Sequence, residues 1–431
     1  MLKDCANRES MKSPEERVAA FLHYGFVPGA PSLADELPWA RATPEEEVPE
    51  RSLARGADMF RQACASLVEP DPLPGDHIVP LSGGLDSRLV LATLLELGLG
   101  SRIIAVTFGT PGTLDFELGR EIARHAGVRH EAIPLSEVRP RASQLAATLA
   151  SGGRWVHLFE AFYNRLVPEL FGDKSAYWSG LMANTINGSQ CGPPGESWQS
   201  ARLRFAGAKR FADSLPLAPP DYAPESALPE APPPADVRLT PYEYLYAGLV
   251  YPFRYEPTLV VPGFDFRMPF KAPAWVDFAL SLSSDQRSEQ RHYRNMAASM
   301  APELFALPSK TSFGVRLDAP RWRTSAARFG LRAGNRLRRS FPWLGWAPNR
   351  KVNYVDFDLA LRPSGSLHEL VEPGLERLVE HRAVPWLDPF AIWDQHRRSR
   401  RNHGEALVLL LSLEASLTWE ARNRPTATGP S

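Results

Sequence analysis

The chain has 431 residues, of which 44% are hydrophobic and 23% charged, so it can bury a substantial core in about two or three domain-sized units. Its 49 Lys and Arg residues balance 49 Asp and Glu residues, which leaves no overall basic field, and we predict no nucleic-acid partner. Three scattered cysteines, no signal-like N-terminus and no membrane-length apolar run predict a reduced, cytoplasmic protein without a zinc or disulfide framework.

The first half of the chain alternates short apolar strands with helices. Residues 1 to 74 are interpreted as a lead-in segment, which ends in a helix from 51 to 68. Strands are predicted at 78–81, 103–108, 131–135 and 176–179, and helices at 87–97, 115–126, 142–149 and 158–170. This alternation favours a parallel sheet with right-handed crossovers, so we predict an α/β core over residues 75–210.

A proline-rich stretch separates this core from the rest of the chain. Eight of the twenty residues from 215 to 234 are proline, and we expect residues 211–238 to be an exposed or disordered insertion with neither strand nor helix. Helices are predicted at 242–251 and 274–282, with a loop around 262–270 between them. Residues 239–421 are interpreted as a mainly helical C-terminal part, and residues 422–431 as a loose tail.

A glycine-rich hexapeptide occupies the junction of the first core strand and the following helix. It reads Ser82-Gly83-Gly84-Leu85-Asp86-Ser87. Glycines let the backbone approach a phosphate, hydroxyls donate hydrogen bonds, a carboxylate can hold a divalent metal, and a helix N-terminus favours an anion. A pyrophosphate suits these groups, whereas the missing Gly-Lys-Ser/Thr ending excludes a Walker P-loop.

These residues resemble the PP-loop ATP pyrophosphatases and, within them, the asparagine synthetase family, which includes β-lactam synthetases and lasso-peptide cyclases. Further similarity lies in Thr107-Phe108-Gly109 with Asp115 and Glu117, in Ser179-Gly180, in the segment from Gly263 to Phe270, and in the lysine loop from Leu307 to Gly314. The resemblance runs from about residue 17 to 421. It implies a Rossmann-like parallel sheet of the PP-loop type, followed by a helical C-terminal region.

The resemblance also implies a reaction and a set of site residues. A substrate carboxylate, on a small molecule or a peptide, attacks the α-phosphorus of ATP, and ammonia or an amine then displaces AMP from the acyl-adenylate. ATP and Mg²⁺ are the implied cofactors, Lys310, Asp265 and Arg267 the implied catalytic residues, and Asp86 and Asn184 the implied metal ligands. The implied nucleotide site comprises Leu81, Ser82, Gly83, Gly84, Leu85, Asp86, Ser87, Phe108, Ser179 and Gly180.

Several of these residues have a second, structural interpretation. Leu81 and Phe108 could be sheet core, and Lys310 a solvated loop lysine. Asp115 and Glu117 could cap a helix instead of serving a nucleotide or a metal. Arg88 could add a donor toward phosphate, pair with Asp86, or form a structural ion pair.

The second glycine loop departs from the family pattern. Relatives carry Ser-Gly-Glu-Gly-x-Asp-Glu, whereas this chain has Ser-Gly-Leu-Met-Ala-Asn-Thr at 179–185. Leu181 cannot accept a proton, and Asn184 offers a metal only a neutral oxygen. Three alternatives follow: the nucleophile arrives neutral, another residue such as Asp265 serves as the base, or the chain is a nucleotide-binding pseudoenzyme or scaffold.

The nitrogen source is a separate expectation. The family's glutaminase needs a cysteine directly after the initiator Met, and Cys5 does not meet this requirement. We therefore expect free ammonia, a substrate amine or a separate glutaminase subunit as the donor, in asparagine-like amidation or in the tailoring of a natural product or glycan.

A basic segment with interspersed aromatic residues lies in the C-terminal part. Residues 321–351 carry nine Lys and Arg residues among tryptophans and phenylalanines. A solvated charged face is the favoured interpretation, with contact to an anionic membrane, a substrate carrier or a peptide as the alternatives. His130 and His157 are interpreted as structural histidines.

Overall fold

A five-stranded sheet organises the chain in the computed structural model, which describes residues 13–29, 49–68, 74–152, 155–235, 237–344 and 348–423. The strands are β1 (His77–Pro80), β2 (Ile103–Gly109), β3 (Arg129–Pro134), β4 (Ala176–Trp178) and β5 (Asp265–Arg267). Their order is β3-β2-β1-β4-β5, and every neighbouring pair is parallel. Cys5 and the tail from residue 424 lie outside the described residues.

The strand sequences explain the sheet. Ile78 and Val79 in β1 and Ala105 and Val106 in β2 are almost completely buried, as expected when helices cover both faces of a parallel sheet. The chain runs from β1 to β2 on one side, while β4 pairs with β1 on the other side. The carboxyl ends of β1 and β4 therefore form a topological switch point, where ligands bind in open α/β sheets.

Helices pack around this sheet and form most of the C-terminal half. The helix Leu114–Ala126 has a sequence signal at each end: the Thr113 side chain caps its start, and Gly127 ends it with a φ of 68°. The helices are α1 (Pro14–Tyr24), α2 (Pro49–Val68), α3 (Asp86–Glu96), α4 (Leu114–Ala126), α5 (Ala142–Gly152), α6 (Leu158–Phe171), α7 (Ala183–Ile186), α8 (Trp198–Ala208), α9 (Pro241–Leu245), α10 (Glu256–Leu259), α11 (Pro273–Ser281), α12 (Ser284–Arg287), α13 (Arg291–Met300), α14 (Pro302–Phe305), α15 (Arg321–Ser340), α16 (Phe357–Ala360), α17 (Val371–Glu380), α18 (Pro389–Arg397) and α19 (Gly404–Asn423). A π-helix (Tyr246–Tyr255) joins α9 to α10, and a two-stranded hairpin pairs β6 (Pro308–Ser309) with β7 (Val315–Arg316).

The predicted α/β architecture is confirmed: a Rossmann-like parallel sheet is followed by a mainly helical C-terminal region. The expected loop around 262–270 is wrong in part, because Asp265–Arg267 forms β5 and extends the main sheet. Residues on both sides of the proline-rich stretch therefore share one sheet. The proposed domain boundaries stay predictions. Among the described residues, no helix combines the length and the apolar content that crossing a bilayer requires.

The expectation of an exposed or disordered insertion at 211–238 is wrong for the part that is described. Leu217 and Leu228 are buried, and residues Pro224–Ala227 form a short 3-10 helix. Backbone carbonyls of this segment accept hydrogen bonds from Trp386 at 2.9 Å and from Tyr24 at 2.9 Å. Proline prevents a ladder or a long helix, but its carbonyls remain available as acceptors for side chains.

Candidate functional site

A cavity of about 440 Å³ opens at the switch point, between the carboxyl ends of β1 and β4. This volume is typical of a small-molecule site. The structure brings to its wall most of the residues predicted from the sequence: Leu81, Ser82, Gly84, Leu85, Asp86, Ser87, Phe108, Ser179, Gly180, Asn184 and Lys310. Distant parts of the chain thus meet where the sheet topology predicts a ligand.

The serine hydroxyl groups of the loop from 82 to 87 accept hydrogen bonds from amides of the same loop. The Gly84 amide donates to Ser82 Oγ at 3.2 Å, and the Ser82 amide donates to Ser87 Oγ at 3.3 Å. The two hydroxyl oxygens lie 3.5 Å apart. Helix α3 begins at Asp86 and directs its first amides toward the same space, so hydroxyls, amides and the helix dipole converge on one anion-binding region.

The two glycines of the loop differ in their surroundings. A Cβ on Gly83 would lie 2.9 Å from Leu118 Cδ1 and 3.1 Å from the Leu114 carbonyl, so this residue packs against α4. A Cβ on Gly84 would meet only Ser82 Oγ, at 3.1 Å, and Gly84 lines the cavity. Gly83, predicted to bind nucleotide, therefore does not line the cavity; it lets the loop pack closely against α4.

Asp115 joins the loop from 82 to 87 to the lysine loop. Its Oδ1 accepts from the Gly83 amide at 3.1 Å, and its Oδ2 accepts from Lys310 Nζ at 2.5 Å. The Gly83 carbonyl in turn accepts from the Lys310 amide at 2.8 Å. Burial raises the pKa of Asp115, and the Lys310 ammonium offsets part of that rise. Lys310 also donates to Asn353 Oδ1. A cation is thus fixed beside the anion-binding loop.

Helix capping is not the role of Asp115, because Thr113 caps α4. Glu117 does serve the start of this helix, since its Oε1 accepts from the Gly112 amide at 2.8 Å. The structural interpretation therefore applies to Glu117.

Asp86, at the end of the loop from 82 to 87, is one of the acidic residues that line the cavity. Its Oδ1 is buried without a hydrogen-bond partner. Burial raises the pKa of Asp86 to about 6, although the Tyr293 hydroxyl offsets part of the rise. Asp86 lines the cavity, and a residue there with an unpaired buried oxygen fits a metal ligand, since a cation would compensate the desolvation of that oxygen.

Asn184, the second predicted ligand, is exposed and lines the same cavity. No cluster of three or more His, Cys, Asp or Glu residues forms a metal site within the described ranges. Mg²⁺ commonly uses one or two carboxylates together with substrate phosphates, so Asp86 alone satisfies the minimum requirement on the protein side.

The loop at 179–185 keeps the backbone shape of a glycine loop without its acids. Met182 has a φ of 72°, a left-handed conformation that glycine adopts more readily, and it occupies the position where the family pattern has its second glycine. Leu181 is 8% exposed, and its amide donates to Ser179 Oγ at 3.2 Å. An apolar side chain therefore replaces the family's glutamate in the cavity wall.

The cavity wall contains a partly buried ion pair that the sequence did not predict. Arg254 from the π-helix donates to Glu160 Oε1 from α6 at 3.0 Å, and both residues line the cavity. Burial opposes ionisation of Glu160, but Arg254 and then His157 bring its net pKa below the ordinary value. His157 is structural, as predicted: its Nδ1 accepts from the Glu160 amide at 3.0 Å and caps α6.

Tyrosines complete the wall around this ion pair. Tyr246 and Tyr255 place their hydroxyls 3.2 Å apart, and Tyr354 stacks on Phe108 with ring centroids 5.6 Å apart. All four residues line the cavity. The sequence did contain one signal, since three tyrosines fall between residues 246 and 255, but the π-helix that carries them has no recognisable local pattern.

Two predicted catalytic residues are placed elsewhere. Asp265 and Arg267 do not line the cavity; they form an ion pair with each other at 2.8 Å in β5. The Arg267 guanidinium also lies 5.7 Å from the Trp178 ring centroid. A carboxylate neutralised in this way at the edge strand is poorly placed to act as a base, so this geometry does not support the assignment of Asp265 or Arg267 to catalysis.

Arg88 takes none of the three roles left open by the sequence, which were a donor toward phosphate, a pair with Asp86 and another structural ion pair. Its buried guanidinium donates to the carbonyls of Leu304, Leu307 and Pro308 at 2.8–3.2 Å. Arg88 therefore secures the segment that leads into the lysine loop.

Comparison with known proteins identifies part of this architecture. Residues 78–147 match the family model for asparagine synthase. The family resemblance is confirmed for this segment. It spans most of β1, the 82–87 loop, β2, α4 with Asp115, β3 and part of α5, whereas Ser179, Asn184 and Lys310 lie beyond it. A search among curated proteins finds no match.

Two solved structures are similar to parts of the chain. One is NMN synthetase from Francisella tularensis, with 17% identity and a TM-score of 0.22 over 33% of this chain and 59% of that chain. The other is the glutamine-dependent NAD+ synthetase from Acinetobacter baumannii in complex with adenosine diphosphate, with 19% identity and a TM-score of 0.24 over 42% of this chain and 37% of that chain. This chain covers less than two thirds of either protein.

Proposed function

We propose that this chain is an ATP-dependent ligase of the asparagine synthetase type, which adenylates a carboxylate and transfers the acyl group to ammonia or an amine. The observation that carries the proposal is the arrangement around Asp115. This carboxylate links the amide of Gly83 in the anion-binding loop to Lys310 Nζ, so that loop and cation border one cavity. Together with the family match over 78–147, this arrangement fits a triphosphate.

The proposed reaction has two balanced steps. A carboxylate oxygen attacks the α-phosphorus of ATP, the bond to the bridging oxygen breaks, and pyrophosphate leaves. A nitrogen nucleophile then attacks the acyl carbon, AMP leaves with its oxygen, and one proton is released. In the first step, Ser82, Ser87 and the α3 amides hold the departing phosphates, while Lys310 stabilises the negative charge that develops.

A magnesium ion, when bound, would neutralise phosphate charge, and Asp86 is the residue that would hold it. Its unpaired Oδ1 and its place in the cavity wall support this assignment. Asn184 is proposed as a weaker, neutral ligand.

We assign recognition of the substrate to the wall that carries Glu160 and Arg254. Arg254 offers donors for a carboxylate, and Glu160 offers acceptors for an amine, while the tyrosine hydroxyls supply further hydrogen bonds. With Leu181 at the family's glutamate position, we propose that the nucleophile reacts as a neutral amine or ammonia. A free or separately generated nitrogen donor is proposed, in asparagine-like amidation or in tailoring a natural product or glycan.

The test is exchange of labelled pyrophosphate into ATP, measured with Mg²⁺ and pools of carboxylic acids. We expect exchange that depends on one pool and is lost in Asp86→Ala, while the control Glu117→Gln keeps the wild-type rate. Exchange that is equal with and without any acid would contradict adenylation of a carboxylate.

A second candidate is a pseudoenzyme that binds nucleotide as a scaffold. Leu181 and Asn184 favour it, because neither replaces the acid of the family pattern. Calorimetry decides between the two: ATP binding without exchange in any acid pool supports the scaffold, whereas acid-dependent exchange supports the ligase.

A further inference from the structure

Helix α15 presents two different faces to its surroundings. Thr324, Ala327, Leu331, Asn335 and Arg338 recur at helical spacing, are partly or fully buried and form the side that faces the protein. Arg338 is the anchor, because its buried guanidinium pairs with Asp356 at 2.6 Å. This ion pair attaches the C-terminal part of the helix to the rest of the protein.

The opposite side of α15 is an exposed apolar stripe. Trp322, Ala326, Phe329, Ala333 and Leu337 follow one another at spacings of three or four residues, about half a turn away from the attached side; Ala333 is half-buried and the other four are exposed. Trp322 is 67% exposed and Phe329 is 75% exposed. A solvated charged face was expected here, but the stripe places large apolar side chains in the outermost position.

The stripe continues into the turn after the helix. Phe341, Trp343 and Leu344 are also exposed. Of the eleven exposed large apolar side chains in the described ranges, six lie between Trp322 and Leu344. Such a concentration at one place is typical of an interaction surface, since exposed apolar residues are normally scattered.

Basic residues flank the stripe, and no acid is near it in sequence. Between Asp318 and Asp356 the chain has nine Lys and Arg residues and not a single Asp or Glu. Arg321, Arg332 and Arg336 are exposed on one flank, and Arg323 on the other. A helix with an outward apolar stripe and an arginine-rich border has the composition of helices that lie in the plane of an anionic bilayer.

We propose that α15 and the turn to Leu344 dock this protein on an anionic membrane surface. The apolar stripe enters the headgroup region, and the flanking arginines contact lipid phosphates. Tryptophan is well suited to this depth, because its ring is apolar and its N–H can donate. The inference rests on the exposed surface and does not depend on the proposed ligase activity.

The docking surface is joined to the lysine loop. The Arg328 guanidinium lies 4.9 Å and Lys351 Nζ 5.2 Å from the ring centroid of Phe313, three residues after Lys310. Docking would therefore place the lysine loop close to the bilayer. The Phe313 ring, with Arg328 and Lys351 close to it, therefore connects helix α15 to the lysine loop.

Flotation of the full chain with lipid vesicles tests the proposal. Vesicles of phosphatidylcholine alone are compared with vesicles that also contain phosphatidylglycerol. We expect binding to the anionic vesicles, weakened by added salt because the Arg contacts are screened. The stripe variant Trp322→Ser/Phe329→Ser and the charge variant Arg332→Glu/Arg336→Glu should each bind at least about tenfold more weakly.

Matched controls separate this surface from general stickiness and charge. Leu170→Ser/Leu203→Ser removes two exposed leucines elsewhere, and Arg400→Glu/Arg401→Glu reverses another exposed basic pair. Both should bind as the parent does. Circular dichroism checks that every variant is folded.

Three results would overturn the proposal. One is no binding to either vesicle, and another is undiminished binding of the stripe and charge variants. The third is a dimer in sedimentation velocity that the stripe variant abolishes in the absence of vesicle binding, which would make a second copy of the chain the occupant.

Discussion

The role of Lys310 can be tested with the substitution Lys310→Met, which removes the charge and keeps the length of the side chain. In the structure Nζ lies 2.5 Å from Asp115 Oδ2, and the lysine side chain is 25% exposed. If the ammonium is preorganised for charge that develops on the phosphates, its loss should raise the barrier by about 3 kcal/mol. The exchange rate of labelled pyrophosphate should then fall roughly a hundredfold, with a smaller effect on the affinity for ATP.

The same substitution leaves Asp115 without its counter-charge. The pKa of this buried carboxyl, which is already raised, should rise further, so the folded protein loses about 1–3 kcal/mol of stability at pH 7. The folded state then takes up a proton more readily than the unfolded state. The stability difference from wild type should therefore shrink as the pH falls, which thermal melts between pH 5 and pH 8 can measure.

A double variant separates catalysis from stability. Asp115→Asn/Lys310→Met removes both charges and should recover much of the lost stability, but it should not recover exchange. The exposed Lys174 provides the control, since Lys174→Met should change neither. Exchange in Lys310→Met within about threefold of wild type would refute the electrostatic role. Full exchange in the double variant would show that Lys310 matters only through Asp115.

Three further predictions concern the cavity and the loop from 82 to 87. Burial raises the pKa of Asp86 from 3.8 to about 6, so ionised Asp86 destabilises the folded state by up to about 3 kcal/mol above pH 7. Asp86→Asn should therefore raise the melting temperature above pH 7, and this gain should fade toward pH 4. A constant gain at all pH values would contradict this assignment. Gly83→Ala should lower the free energy of unfolding by about 1–3 kcal/mol, because the new Cβ would meet Leu118 and backbone atoms. Gly84→Ala should fold normally but bind ATP more weakly, as measured by calorimetry. Equal melting temperatures for the two variants would argue against the packing role of Gly83. Asn184→Asp should lower the Mg²⁺ concentration needed for half-maximal exchange about tenfold, and an unchanged requirement would exclude position 184 from the metal site.

Local chemistry explains why much of the site could be predicted. The run from β1 through the 82–87 loop into α3 depends on neighbours in sequence: buried apolar residues, two glycines, hydroxyls and a helix start. The parallel sheet follows from alternating strands and helices, and the binding place follows from its topology. Lys310 and Ser179 were predicted through motif resemblance, and the structure places both at the cavity.

Other features could be known only from the folded chain. Asp115 and Lys310 are 195 positions apart, and Glu160 and Arg254 are 94 positions apart, so neither pair produces a sequence pattern. The proline-rich segment was expected to be loose, because its composition prevents ladders, yet its buried Leu217 and its carbonyls find partners in distant helices.

The sequence by itself therefore determined four of the five strands of the sheet, the loop from 82 to 87 and the basic, aromatic composition of residues 321–351, since each depends on residues close together along the chain. Tertiary structure decided which charges meet in the cavity, why Asp265 and Arg88 lie outside it, and which face of α15 remains exposed. These outcomes depend on packing between segments far apart in sequence, because a charge buried by folding is stabilised by whichever partner the fold brings within reach.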